Sequence, residues 1–214
     1  TAATVPLVRR FCLRTGLVYE PTERTVHTKP MPALGGLAMV VGVPVARGVA
    51  TLMGRFKPML TGTEMAGAAL CCAVAFGTGL TDDIRHLSAP AKVAGLVLAG
   101  SILSLSGLSL LFFRVPFFDL LVLSPDLSAL LTVAWVVGMA TAINLIDGRD
   151  GVAAGLGGLV SATMSYIAWD LGHDLIAMLF AALAGASLGF LPFNLTRASR
   201  FLGDSGAYLL GFTI

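Results

Sequence analysis

Asp147 and Asp150 lie close together in the stretch Asn144-Leu145-Ile146-Asp147-Gly148-Arg149-Asp150-Gly151-Val152-Ala153-Ala154. A glycine between the two carboxylates and another after them describe a tight turn that can aim both acids at one point. Such a turn suits a cation or a donor-rich ligand. Taken alone, the pattern also serves as a helix-linking loop whose aspartates cap the next helix. The further acidic ligands of a calcium loop are absent at the required spacing. The neighbourhood changes the balance, because Asp82 and Asp83 end one apolar run and Asp204 begins another. If these ends meet, the five carboxylates repel one another, and a divalent cation or basic groups must hold them ionised. Oxygen-only donors favour Mg²⁺, with Mn²⁺ as an alternative, and no Cys/His set offers the softer ligands of a zinc site. His27 and His86 are scattered and suit phosphate or solvent better than metal. An Mg²⁺ held by carboxylates, with Lys and Arg beside it, is equipment for moving a phosphoryl group carried by a nucleotide diphosphate. Helices starting after Gly148, Gly151 and Gly203-Asp204-Ser205-Gly206 could add backbone N–H groups aimed at phosphate oxygens; a plain N-cap is the other reading of the last stretch.

The elements that must position these acids are membrane helices. With 56% hydrophobic and 12% charged residues and a mean hydropathy of +0.87, lipid must be the solvent for most of the chain. The net charge of +2 and the lack of any Arg/Lys-rich run exclude a nucleic-acid partner. Cys12, Cys71 and Cys72 read as packing residues rather than a disulfide framework. Residues 1–33 form a basic, turn-rich juxtamembrane loop. Apolar runs follow at about 34–51, 65–80, 91–113, 127–143, 152–169 and 175–193, with another beginning after Asp204. Pro44 and Arg47 kink the first run and snorkel from it. Residues 114–126 suit an interfacial hairpin or short helix.

Counting crossings puts the loops 9–33, 82–92, 144–151 and 194–204 on one face. That face holds Arg9, Arg10, Arg14, Arg24, Lys29, Arg85, Lys92, Arg149, Arg197 and Arg200, whereas the other holds only Arg55, Lys57 and Arg114. By the positive-inside rule the first face is cytoplasmic, and it carries Asp82, Asp83, Asp147, Asp150 and Asp204. The expected architecture is all-α: a polytopic integral membrane helix bundle with about six complete transmembrane helices plus the start of a seventh. Residues 1–214 form one domain. The chain starts without Met and stops within the apolar run Phe212-Thr213-Ile214, so it is expected to be a fragment, truncated at the C-terminus and also at the N-terminus.

Four stretches resemble the polyprenyl-phosphate N-acetylhexosamine-1-phosphate transferase family, glycosyltransferase family 4. They are His27-Thr28-Lys29-Pro30-Met31-Pro32-Ala33-Leu34-Gly35-Gly36, Thr81-Asp82-Asp83, Asn144 to Ala154, and Phe190-Leu191-Pro192-Phe193-Asn194 running on to Phe201-Leu202-Gly203-Asp204-Ser205-Gly206. The resemblance implies an enzyme of the bacterial cytoplasmic (inner) membrane, active on its cytoplasmic side. It would transfer N-acetylhexosamine 1-phosphate from a UDP-sugar to undecaprenyl phosphate, with UDP-HexNAc, the lipid phosphate and the bilayer as partners and a homodimer as a compatible assembly. It also implies that Asp204 coordinates Mg²⁺ with Asp83 close by, and that Asp82 is the base that deprotonates or orients the lipid phosphate. Asn144 and Asp147 would line the diphosphate and metal region. Gly148, Arg149 and Asp150 would form the uridine pocket, with Lys29 on the nucleotide side and Asn194 among the substrate-binding positions. Adjacent Asp82 and Asp83 project about 100° apart on a helix, so they should not share one role.

The His-x-Lys-Pro loop and Ile146 resemble the branch that transfers N-acetylglucosamine 1-phosphate for O-antigen, common antigen or teichoic-acid linkage units. The peptidoglycan branch, which uses UDP-N-acetylmuramoyl-pentapeptide, is the alternative within the family. Three positions depart from the family pattern: His86 replaces a third acid, Arg149 a leucine and Thr141 an asparagine. The family's histidine-rich cytoplasmic loop lies beyond Ile214. An ion- or proton-coupled transporter is a reading from another class, but it would place its acids near the midplane and show inverted repeats. A CDP-alcohol phosphatidyltransferase would require D-G-x-x-A-R, which does not follow Asp147-Gly148.

Overall fold

The computed structural model describes residues 1–2, 4–15, 18–19, 31–32, 36–37, 39–41, 48, 63–114, 120–147, 151–195 and 202–214. Its elements are α1 (Thr4–Thr15), β1 (Val18–Tyr19), β2 (Met31–Pro32), α2 (Thr63–Arg85), α3 (Ala89–Leu105), β3 (Phe112–Arg114), β4 (Leu120–Val122), α4 (Pro125–Ile146), α5 (Val152–Asp170), α6 (Asp174–Asn194) and α7 (Gly203–Thr213). The strands form two antiparallel hairpins, pairing Tyr19 with Met31 and Phe113 with Leu121. Residues 66–85 of α2, together with α4, α5 and α6, are long and apolar enough to cross a membrane, and α3 is a shorter apolar helix. The first expected run, 34–51, lies mostly outside the described residues.

Helix α7 is the hub, because it is apolar all round and packs against α2, α4 and α5. Ala207 and Leu210 join Ile143, Ala153, Ala154, Leu183, Ala186 and Phe190 in one core. Tyr208 points the other way into a second core with Cys71, Ala75, Leu96, Ala99 and Ala140. The outer faces of α2–α6 carry exposed Leu70, Leu98, Leu130, Trp135, Leu159 and Leu188, as expected of surfaces solvated by lipid. Cys12, Cys71 and Cys72 form no disulfide.

Two elements differ from their expectation. Residues 4–15 form a helix, not a loop: Val5 and Cys12 are buried and Val8 packs beside the core, while Arg10 and Arg14 stay exposed. The basic residues hid a helical spacing of small apolar ones. The third run stops at Leu105, not at Phe113, where Ser106 and Gly107 (φ 88°) turn the chain towards β3. The backbone leaving this helix is satisfied by α4: Ser128 donates to the Leu110 carbonyl (2.7 Å) and Thr132 accepts the Leu110 N–H (3.0 Å). Such pairing is what permits an irregular segment beside a membrane bundle. The hairpin expected at 114–126 is present as β3–β4.

Candidate active site

The ends of α2, α4 and α6 meet the starts of α3, α5 and α7, so the described flanks of 82–92, 144–151 and 194–204 converge, whereas 9–33 lies mostly outside the described residues. Asp82 and Asp83 sit on the last turn of α2 rather than in a loop. Asp82 is 2% exposed; its Oδ1 accepts the Leu87 N–H (2.6 Å) and its Oδ2 pairs with the Lys92 ammonium. The intervening turn places His86 at φ 50°, a left-handed conformation that histidine tolerates better than most residues. Asp83 faces elsewhere, as the helical spacing predicts. Its Oδ1 accepts the Asp204 N–H (2.9 Å) and its Oδ2 the Ser205 N–H (3.1 Å).

Lys92 ties the cluster together. Rooted in the first turn of α3, it donates at 3.0 Å to Oδ2 of Asp204, 112 residues further on, while also paired with Asp82, and so bridges α2 and α7. Asn144 lies within hydrogen-bonding reach of the Asp204 carboxylate. Asp147, just past the end of α4, accepts the Gly203 N–H through Oδ2 (3.2 Å), and its buried Oδ1 has no partner. Burial, aided by the charges of Asp204 and Asp83 and opposed by the Gly203 N–H, pushes the Asp147 carboxyl up to about 8. A positive charge nearby would return it to the ionised form.

Across the start of α5, Asn194 Oδ1 accepts the Gly151 N–H (2.9 Å). Gly151 adopts φ 75°, a conformation glycine takes without steric cost. Asn194 is fully buried and ties Gly151, the residue before α5, to the end of α6. Gly148, Arg149, Asp150 and Lys29 lie outside the described residues. The expectation that the amides opening α7 point at phosphate oxygens is not met: those of Gly203, Asp204 and Ser205 are bound by Asp147 and Asp83.

The donor chemistry fits a hard divalent cation. Asp82, Asp83, Asp147 and Asp204 offer oxygen only, and the buried, unpartnered Asp147 Oδ1 is an atom that a cation would satisfy. Among the described residues no three His, Cys, Asp or Glu side chains converge on one ion-sized position. Lys92 holds Asp82 and Asp204 together, and Asp83 is turned towards α7. Lys92 is the residue that sequence reasoning missed, having counted only as a basic loop residue.

A family profile described as "Glycosyl transferase family 4" matches residues 65–214. The chain belongs to glycosyl transferase family 4. The matched span runs from the third residue of α2 through α7 and holds every described site residue. A decaprenyl-phosphate N-acetylglucosaminephosphotransferase of Mycobacterium tuberculosis (strain ATCC 25618 / H37Rv) is 39% identical over 223 residues, covering 99% of this chain and 55% of the relative. A protein of Bacillus subtilis (strain 168) named "Probable undecaprenyl-phosphate N-acetylglucosaminyl 1-phosphate transferase" is 37% identical over 211 residues, covering 98% and 56%. A phospho-N-acetylmuramoyl-pentapeptide-transferase of Clostridium perfringens (strain SM101 / Type A) is 28% identical over 219 residues, covering 97% and 65%. The chain spans about half the length of the first two relatives.

Proposed function

We propose that the protein transfers N-acetylhexosamine 1-phosphate, with N-acetylglucosamine as the sugar, from a UDP-sugar to undecaprenyl phosphate or a similar polyprenyl phosphate, releasing UMP. The observation that carries this reading is the Asp82–Lys92–Asp204 bridge beside Asp147, placed in a family 4 chain at one end of its membrane helices. The choice of sugar is supported by the relatives named for N-acetylglucosamine at 37% and 39% identity, against 28% for the muramoyl-pentapeptide relative. Family membership displaces the transporter alternative. The basic residues on the site's face support a cytoplasmic orientation in the bacterial inner membrane. The run at 34–51 and the start at α7 would bring the spans to about six plus part of a seventh, in one domain.

In the reaction, an oxygen of the lipid phosphate attacks the β-phosphorus of the UDP-sugar. The bond from that phosphorus to the oxygen bridging to UMP breaks, and UMP leaves with the negative charge. The residues that would hold Mg²⁺ are Asp204 and Asp147, with Asn144 beside them. Bound there, the ion supplies charge neutralisation for the diphosphate. Asp82 accepts a proton from, or orients, the incoming lipid phosphate, and the Lys92 ammonium favours the charged forms of Asp82 and Asp204 against the burial and mutual repulsion that oppose them. Arg149 and Asp150 are assigned to the nucleotide, as is Lys29.

The test is UMP release by membranes carrying the full-length protein, assayed over a panel of UDP-sugars with or without undecaprenyl phosphate, and with Mg²⁺ or EDTA. The expected result is release that requires both lipid phosphate and Mg²⁺, fastest with UDP-N-acetylglucosamine. Release only with the muramoyl-pentapeptide nucleotide would reassign the sugar. No release with any of them would remove the transferase reading.

A further inference from the structure

Helix α7 begins without a cap of its own. The N-cap position is Leu202, which offers no side-chain acceptor, yet the start of the helix is buried and its leading amides need partners. Carboxylates from other helices supply them. Asp147 takes the Gly203 N–H, while Asp83 spends one oxygen on the Asp204 N–H and the other on the Ser205 N–H. Negative charge at this end also complements the helix dipole.

The same face of α2 is shaped for the contact. Gly79 lies one turn before Asp83 and therefore on the same side of the helix. A Cβ added there would stand 2.5 Å from the Asp204 carbonyl oxygen and from Ser205 Cα, so only glycine permits this approach. Asp82, rotated away, serves Lys92 and the 86–87 turn instead. Asp83 is 6% exposed and both its oxygens are engaged.

We infer that Asp83 is a positioning residue: its carboxylate clamps the first turn of α7 onto α2 and so fixes where the Asp204 side chain stands relative to Lys92. Asp83 is then neither the base nor a metal ligand. This assignment rests on the transferase reading for its link to activity, and on the hydrogen bonds alone for the clamp.

Two measurements on Asp83→Asn and Asp83→Ala test it. Asparagine keeps the shape and one accepting oxygen, whereas alanine keeps neither. The first measurement is hydrogen exchange of the segment 202–208 in the full-length protein in detergent, which reads the clamp whether or not the enzyme turns over. Exchange at the Asp204 and Ser205 amides should accelerate by about tenfold in Asp83→Asn and further in Asp83→Ala, while α5 and α6 keep wild-type protection. Unchanged exchange would overturn the proposal. The second is UMP release against Mg²⁺ concentration and pH. The Asn variant should lose kcat by about tenfold, with the half-maximal Mg²⁺ concentration and the shape of the pH profile as in wild type, and alanine should lose more. A rise of about tenfold or more in the Mg²⁺ requirement would make Asp83 a ligand. Loss of the acidic limb of the pH profile would make it the base. Either result contradicts the inference. Failure of the transferase reading would instead show as inactivity of the wild-type protein, with the exchange experiment still deciding the clamp.

Discussion

Asp204→Asn should reduce Mg²⁺-dependent transfer by about 10³-fold while leaving the bundle assembled, a loss at the upper end of that seen when a charged group facing the reacting atoms is neutralised. Asp204 occupies the second position of α7, where its own N–H is fixed by Asp83 and its carboxylate meets Lys92 at 3.0 Å. Its side chain is 18% exposed against 3% for Asp82, so it is the more open of the two carboxylates held by Lys92. Asparagine matches its volume and can still accept from Lys92, and the backbone bonds that start α7 do not involve its side chain. Accumulation in membranes and the unfolding temperature should therefore stay close to wild type. Near-normal UMP release would take Asp204 out of the centre.

Lys92→Met is expected to be nearly as damaging, at about 10²–10³-fold in kcat, for a different reason. The ammonium is the positive charge that the described residues place between Asp82 and Asp204. Without it two neighbouring carboxylates, one of them almost fully buried, face each other across the α2–α7 seam. One must take up a proton or move away. Lys92→Arg should recover only part of the rate, because a planar fork does not replace a compact ammonium between two acids. Adding Asp82→Asn to Lys92→Met should restore folding stability without restoring activity, since it removes the repulsion but not the need for the charge. Wild-type rates in Lys92→Met would show that the bridge is only structural.

Much of this site could be read from residue order. Apolar runs of membrane length, counted in turn, bring Asp82, Asp83, Asp147 and Asp204 to one end, and the helical rotation between Asp82 and Asp83 separates their tasks. The structure brings these four side chains to one end and turns Asp82 and Asp83 to different partners. Lys92 was overlooked because it looks like any basic residue at a helix entrance. The signal was its place just after Ser88-Ala89-Pro90, a helix start, since side chains in a first turn lean back towards the N-terminus and so across to the end of α2. The fate of the α7 amides could not be read at all, because a Gly-Asp-Ser-Gly start has the same appearance whether phosphate or a distant carboxylate satisfies it. The short α3 was equally hidden. Hydropathy continues through Phe113, and two of the partners that satisfy the departing backbone, Ser128 and Thr132, lie far along the chain.

In the proposed reaction the phosphate nearest the sugar crosses to the lipid. The most direct test is to supply UDP-N-acetylglucosamine labelled at the β-phosphorus, together with undecaprenyl phosphate and Mg²⁺, to membranes carrying the full-length protein. Label is expected in an extractable lipid diphosphate, with unlabelled UMP in the aqueous phase, in equal amounts. Label that stays in the nucleotide, or appears as free phosphate with no labelled lipid, would contradict it.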